Sequence, residues 1–116
     1  MEILTIHGRI PTKKNKYRIS KNGCFFKPKD VTEFETLFGK EVAAQRIGLV
    51  RGPCKVEIDL FVGTAEPDLD GAVTTILDCL QSTQVIENDK DVVIIHAQKD
   101  RSRTTDAGAR ITIENV

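Results

Sequence analysis

The six residues "EPDLDG", positions 66 to 71, place three carboxylates within five positions and end on glycine. Asp68 and Asp70 stand two apart, so an extended backbone between them sets both side chains on one face. Gly71 removes a neighbouring side chain and eases the approach of another backbone or a phosphate. Hard oxygen donors in this arrangement suit Mg²⁺, which takes carboxylates, keeps several waters and is commonly held against substrate phosphates. The plainer alternative is a solvated loop whose acids cap a helix, because its free N–H groups and dipole favour anions.

A second acidic set lies in "IENDKDVVII", with Glu87, Asp89 and Asp91. If that segment is extended, Asp89 and Asp91 again share a side, and the 19 residues from Asp70 to Asp89 are enough chain to bring them beside the first pair. Three or four convergent carboxylates repel unless a cation neutralises them. A divalent ion there can activate water and stabilise a leaving oxygen in phosphodiester hydrolysis. Each set taken singly is also an ordinary cap or turn, and the residues alone leave both readings open. Glu57 and Asp59 are weaker candidates from a neighbouring strand, equally explained by a wet strand face. Asp78, two helical turns beyond Asp70, either supports the site from behind or is solvated.

Residues 9 to 29 carry Arg9, Lys13, Lys14, Lys16, Arg18, Lys21, Lys27 and Lys29 with no acid among them. A basic stretch of this density suits a nucleic-acid backbone and lets a polyanion approach a carboxylate cluster that would otherwise repel it. Lys13, Lys14, Lys16 and Arg18 are the strongest phosphate contacts; the alternative is an exposed loop that balances the acidic middle of the chain. Lys99, about 26 Å along its strand from the Asp91 end, is too far to serve a metal held at that end, but can touch DNA elsewhere on the surface.

The rest of the composition narrows the class. The chain has 116 residues, 17 basic and 17 acidic side chains, and 40 % hydrophobic content, which fits one globular domain, residues 1–116, with no net electrostatic bias. Five Phe and one Tyr leave little for base stacking. Cys24, Cys54 and Cys79 are odd in number and widely spaced, which fits reduced thiols rather than a disulfide framework. Two distant histidines, His7 and His96, make no zinc site. No apolar run reaches a membrane span, and no signal sequence is recognisable, so the reading is an intracellular, cytoplasmic protein.

The elements that must position these residues follow from periodicity. "EILTIHG" reads as an opening strand, the basic stretch as a long loop or irregular ribbon, and "CFFK" as a short strand. Val31, Phe34, Leu37, Phe38 and Val42 predict a helix over 30–47, stopped by Gly48. "CKVEIDLFV" is the clearest strand, with Val56, Ile58, Leu60 and Val62 on one face. Val73, Ile76, Leu77 and Leu80 predict a helix over 71–81, with Asp70 at or next to its N-cap. A strand from about Asp91 to Gln98 and a closing strand "GARITIENV", with Ile111 and Ile113 inward, complete an α+β fold: a mixed β-sheet with two main helices covering one face.

In that order the chain resembles the RusA-type family of Holliday junction resolvases. The resemblance is carried by "PTKKNKYR" after the first strand, the "V-x-I-x-L-F" strand, "PDLDG" opening a helix with "ILDCL", and "VIENDKDVVII" followed by Lys99. It implies a RusA-like homodimer from a phage, prophage or bacterium that cuts four-way or branched DNA with Mg²⁺, or Mn²⁺ as substitute, by paired nicks in strands of like polarity. The essential aspartates fall on Asp68, Asp70 and Asp89, with Asp91 as an auxiliary metal ligand, and Lys13, Lys14, Lys16 and Arg18 in the DNA-binding segment.

Three departures stand out. Gly71 replaces the family's usual asparagine, Thr74 replaces a lysine four positions after the second aspartate, and Asn88 replaces the first member of the second acidic pair. Loss of a cation near the metal weakens stabilisation of developing charge. The alternatives are therefore a catalytically weak or inactive branched-DNA-binding protein of the same fold, or a structural protein whose acids only cap elements.

Overall fold

The strand at Cys54 organises the rest of the molecule. In the computed structural model, β4 (Cys54–Phe61) alternates Cys54, Val56, Ile58 and Leu60 into the interior with half-exposed Lys55, Glu57, Asp59 and Phe61 on the other face. It is flanked on both sides: β5 (Val92–Asp100) runs parallel to it and β6 (Gly108–Asn115) antiparallel. β1 (Glu2–His7) pairs antiparallel with β6, giving the order β1-β6-β4-β5. The structure describes residues 1–12, 29–63, 66–102 and 106–116 in full, and residues 18–19 and 25–26 at the level of backbone. Those two short pieces, β2 (Arg18–Ile19) and β3 (Phe25–Phe26), pair antiparallel as a ribbon within the basic stretch.

Two helices bury their apolar stripes on one face of the four-stranded sheet. α1 (Lys29–Ala44) contributes Phe34 and Phe38, whose rings meet at 5.9 Å, and α2 (Leu69–Ser82) contributes Ile76 and Leu80. These pack with Leu4, Ile58 and Ile111 of the strands in one core. The result is the expected small α+β domain with a mixed sheet and a single helical layer. The uncovered face is polar and laced by ion pairs, among them Lys55–Glu57 at 2.7 Å and Arg110–Asp59 at 3.2 Å.

Several boundaries differ from the periodicity, each for a tertiary reason. α1 ends before Gly48: Arg46 adopts a left-handed φ of 55°, and the N–H groups of Ile47 and Arg46 reach the carbonyls of Val42 and Ala43 at 3.0 and 3.2 Å, a helix-terminating bond pair. The turn presents Gln45 to β1, where its amide donates to the Thr5 carbonyl at 2.7 Å and accepts from the Thr5 N–H at 2.9 Å. This side chain covers the outer edge of β1 as a neighbouring strand would. β5 and β6 are consecutive in the chain but not neighbours in the sheet, because β4 lies between them.

The opposite edge is different in kind. No described element pairs with the outer side of β5, where Val93, Ile94 and Ile95 are 57 %, 40 % and 43 % exposed. Val56 registers with Ile95, so Ile95 lies on the helical side of the sheet and Ile94 on the open side. The first half of this edge strand, Val92–Ile95, is apolar on both faces and has none of the charges that usually discourage pairing.

At Gly108, paired with His7, an added Cβ would lie 2.3 Å from the backbone carbonyl oxygen of Ile6. The backbone cannot yield locally without opening the β1–β6 ladder. Gly108→Ala is therefore expected to lower unfolding stability by about 1–3 kcal/mol, read as a fall in the urea midpoint at unchanged slope. An unshifted midpoint would show that β1 adapts.

Candidate phosphodiester site

β4 delivers the chain to α2 at its C-terminal end, and the first acidic set sits at that junction. Asp68 is the N-cap of α2 (φ −74°, ψ 122°), yet its side chain makes no capping hydrogen bond, and Asp70 lies in the first helical turn. The simple capping account of Asp68 therefore fails here. Both aspartates are exposed. Glu66, Pro67 and Asp68 line a cavity of about 220 Å³ together with Arg9, Thr12 and Asp30.

Gly71 has a role other than the one its type suggests. A Cβ there would fall 2.1 Å from Thr12 Oγ1 and 2.8 Å from Thr12 Cβ, so a side chain, rather than a phosphate or backbone, fills the space. Thr12 precedes the first lysine of the basic stretch and Asp30 follows its last. Both line the Glu66–Asp68 cavity, so the stretch leaves and rejoins the domain at the acidic site. Lys13, Lys14 and Lys16 lie outside the described residues, and Arg18 is described only as backbone within β2.

Two cations reach the same place from the end of β5. Lys99 Nζ is 3.8 Å from Glu66 Oε1, and Arg101 Nε donates to that same oxygen. The Glu66 carboxylate raises the Arg101 pKa above its ordinary value, by hydrogen bonding first and charge second. Lys99 is thus distant from the Asp91 end of its strand, as strand rise requires, but adjacent to the other acidic set. Thr74 does not take part in this way: it is exposed, and its hydroxyl donates to the Asp70 carbonyl at 3.0 Å.

The second acidic set sits at the far end of α2. Asp89–Asp91 is a 3₁₀ turn, not an extended strand entry, and the Asn88 side chain caps it by accepting from the Lys90 N–H at 2.9 Å. The N–H of Asp89 donates to Gln81 Oε1 at 2.9 Å, fastening it to the last turns of α2. Asp91 also lies close enough to Cys54 that its charge, after burial, helps raise that thiol's pKa.

Because β4 and β5 are parallel, the connecting α2 runs between opposite ends of the sheet. Its 14 residues put those ends about 20 Å apart. Within one chain, Asp68 and Asp70 therefore do not meet Asp89 and Asp91, contrary to the expected return of the chain upon itself. Among the described residues, no three His, Cys, Asp or Glu side chains gather as a metal-holding group. Glu57 and Asp59 lie on the open sheet face, beside a recess of about 520 Å³, and are paired with Lys55 and Arg110. Asp78 is exposed on α2. Arg101 and Asp30 are site neighbours that sequence spacing did not reveal, since only strand register and the α1 start place them there.

Acids and cations are thus interleaved at this rim of the α+β sheet. The family model for endodeoxyribonuclease RusA matches residues 8–114 of the 116, and the chain belongs to this family, whose members are endonucleases that resolve Holliday junctions. Comparison with curated proteins returns no match. No described helix is long and apolar enough to cross a membrane.

Proposed function

We propose that the chain is a homodimeric, Mg²⁺-dependent resolvase of four-way DNA junctions whose metal sites are each assembled from two subunits. What supports this most directly is the placement of Asp68/Asp70 and Asp89/Asp91 at opposite ends of α2, together with the bare apolar edge of β5. Two copies joined through that edge across a two-fold axis pair antiparallel, so the beginning of one β5 meets the end of the other. An axis at Ile94 sets Val93 against the partner subunit's Ile95 and Val92 against the partner subunit's His96, which brings the Asp89–Asp91 turn towards the end of the partner's β5. That end holds Glu66, Asp68 and Asp70. A four-carboxylate set then forms twice, once at each side of the axis.

The donor chemistry fits the ion: carboxylate oxygens, exposed and with room for water, are the ligands Mg²⁺ selects, and Mn²⁺ is the expected substitute. Asp68, Asp70 and the partner subunit's Asp89 would hold it, with the partner subunit's Asp91 auxiliary. Bound there, the cation supplies positive charge to a phosphate and to the oxygen that leaves. The chain's own contribution is positioning. The basic stretch, with Lys13, Lys14, Lys16 and Arg18, starts and ends beside Asp68 and draws the DNA backbone to it. Two sites related by a two-fold match a nearly two-fold junction, so paired incisions in strands of like polarity follow from symmetry.

The reading is tested by incubating purified protein with labelled four-way junction and with linear duplex, in Mg²⁺, Mn²⁺ or EDTA. Junction-selective nicks that need a divalent ion are expected. Tight junction binding with no nicks in either metal would leave a binding protein of this fold, the alternative that Thr74 in place of lysine favours.

A further inference from the structure

The family's usual lysine after the second aspartate is absent, yet a cation is present at the same acidic site by another route. Lys99 and Arg101 share one carboxylate oxygen, Glu66 Oε1. Two positive groups thus share one negative group beside the cavity that Asp68 lines. Lys99 is the better held of the two: its side chain is 21 % exposed against 68 % for Arg101, and β4–β5 register sets it opposite Leu60, on the helical side of the sheet. Pro67 separates Glu66 from Asp68 with a fixed φ, which narrows the freedom of the link between the anchor and the first aspartate. Thr74 turns its hydroxyl back onto the Asp70 carbonyl and carries no charge.

We infer that Lys99 is the phosphate-binding cation of this site, replacing the one missing at position 74, and that Glu66 is its anchor rather than a metal ligand. This rests on the nuclease reading above for its catalytic part, but the phosphate contact stands independently of cleavage. An ammonium held beside a carboxylate group is a point charge suited to a phosphate oxygen. It meets the DNA strand as that strand passes Asp68, and it offsets the repulsion between phosphate and aspartates. Arg101 shares the anchor and keeps Glu66 ionised and oriented.

The test compares wild type, Lys99→Met, Lys99→Arg, and Lys99→Met combined with Thr74→Lys, using a four-way junction. Binding is measured as a function of salt, and cleavage as a single-turnover rate at saturating protein. Lys99→Met is expected to lower the slope of log affinity against log salt by about one and cleavage by about 100-fold or more. Lys99→Arg retains the slope, and Thr74→Lys in the Lys99→Met chain restores both readouts, which a merely structural lysine would not allow. An unchanged salt slope in Lys99→Met overturns the phosphate contact, whether or not the protein cuts. A changed slope with no cleavage in wild type supports the contact and refutes the nuclease reading instead. A changed slope with cleavage unaltered by Lys99→Met overturns the catalytic role.

Discussion

Mixed dimers of Asp70→Asn and Asp89→Asn chains are expected to regain nicking that neither parent possesses. In the proposed homodimer each parent carries the lesion at both sites, and loss of a group proposed to hold the charge-stabilising ion is expected to lower the rate by about three orders of magnitude. In a mixed dimer the two lesions fall on one composite site, while the other combines an intact Asp70 with the partner's intact Asp89. Random exchange makes half the dimers mixed, so about one quarter of wild-type sites return. The product is a single nick rather than a resolved junction. If both acids of a site belonged to one chain, the mixture would stay as inactive as its parents. That result, with subunit exchange verified by mass, would end the two-subunit account. Retained cleavage by Asp89→Asn alone would remove Asp89 from the site altogether. Junction binding should survive in both parents, since an aspartate facing a phosphate contributes repulsion rather than attraction.

Charging the edge of β5 should be equally severe, through a different cause. Ile94→Lys together with Ile95→Lys is expected to convert the proposed dimer to monomer in sedimentation and to abolish junction cleavage. A two-fold interface meets its own copy, so each substitution acts twice. Apolar anchors at an interface centre contribute about 2 kcal/mol each, and four of them lost amount to several orders of magnitude in the dissociation constant. Both side chains are 40 % exposed or more in the single chain, so the fold itself should be little affected and the far-ultraviolet spectrum unchanged. A folded monomer that still cuts at the wild-type rate, or a dimer that persists, would place the interface elsewhere. The edge of β1 is no rival, because Gln45 already occupies the backbone of Thr5.

Much of the fold was legible because its signals are local. The alternation of β4 survives in the burial of Val56, Ile58 and Leu60, and the inward Ile111 and Ile113 of β6 are fully buried. A period of two or of 3.6 is written in neighbouring residues, and a strong apolar stripe leaves one way to bury it. The helix ends were less legible. Arg46, not Gly48, takes the left-handed turn of α1, because the termination is set by what Gln45 bonds on β1 rather than by the preference of one residue type.

The sequence by itself determined which side chains could do chemistry: oxygen donors at Asp68, Asp70, Asp89 and Asp91, a basic stretch elsewhere in the chain, and family membership. Only the tertiary structure decided their arrangement. Parallel pairing of β4 and β5 stretches α2 between the two acidic sets, and the same register carries Lys99 to Glu66. Spacing along a chain bounds how near two residues can come, but the direction of a strand decides whether they do. That direction is fixed by long-range hydrogen bonding between strands, which leaves no mark in any short stretch of residues.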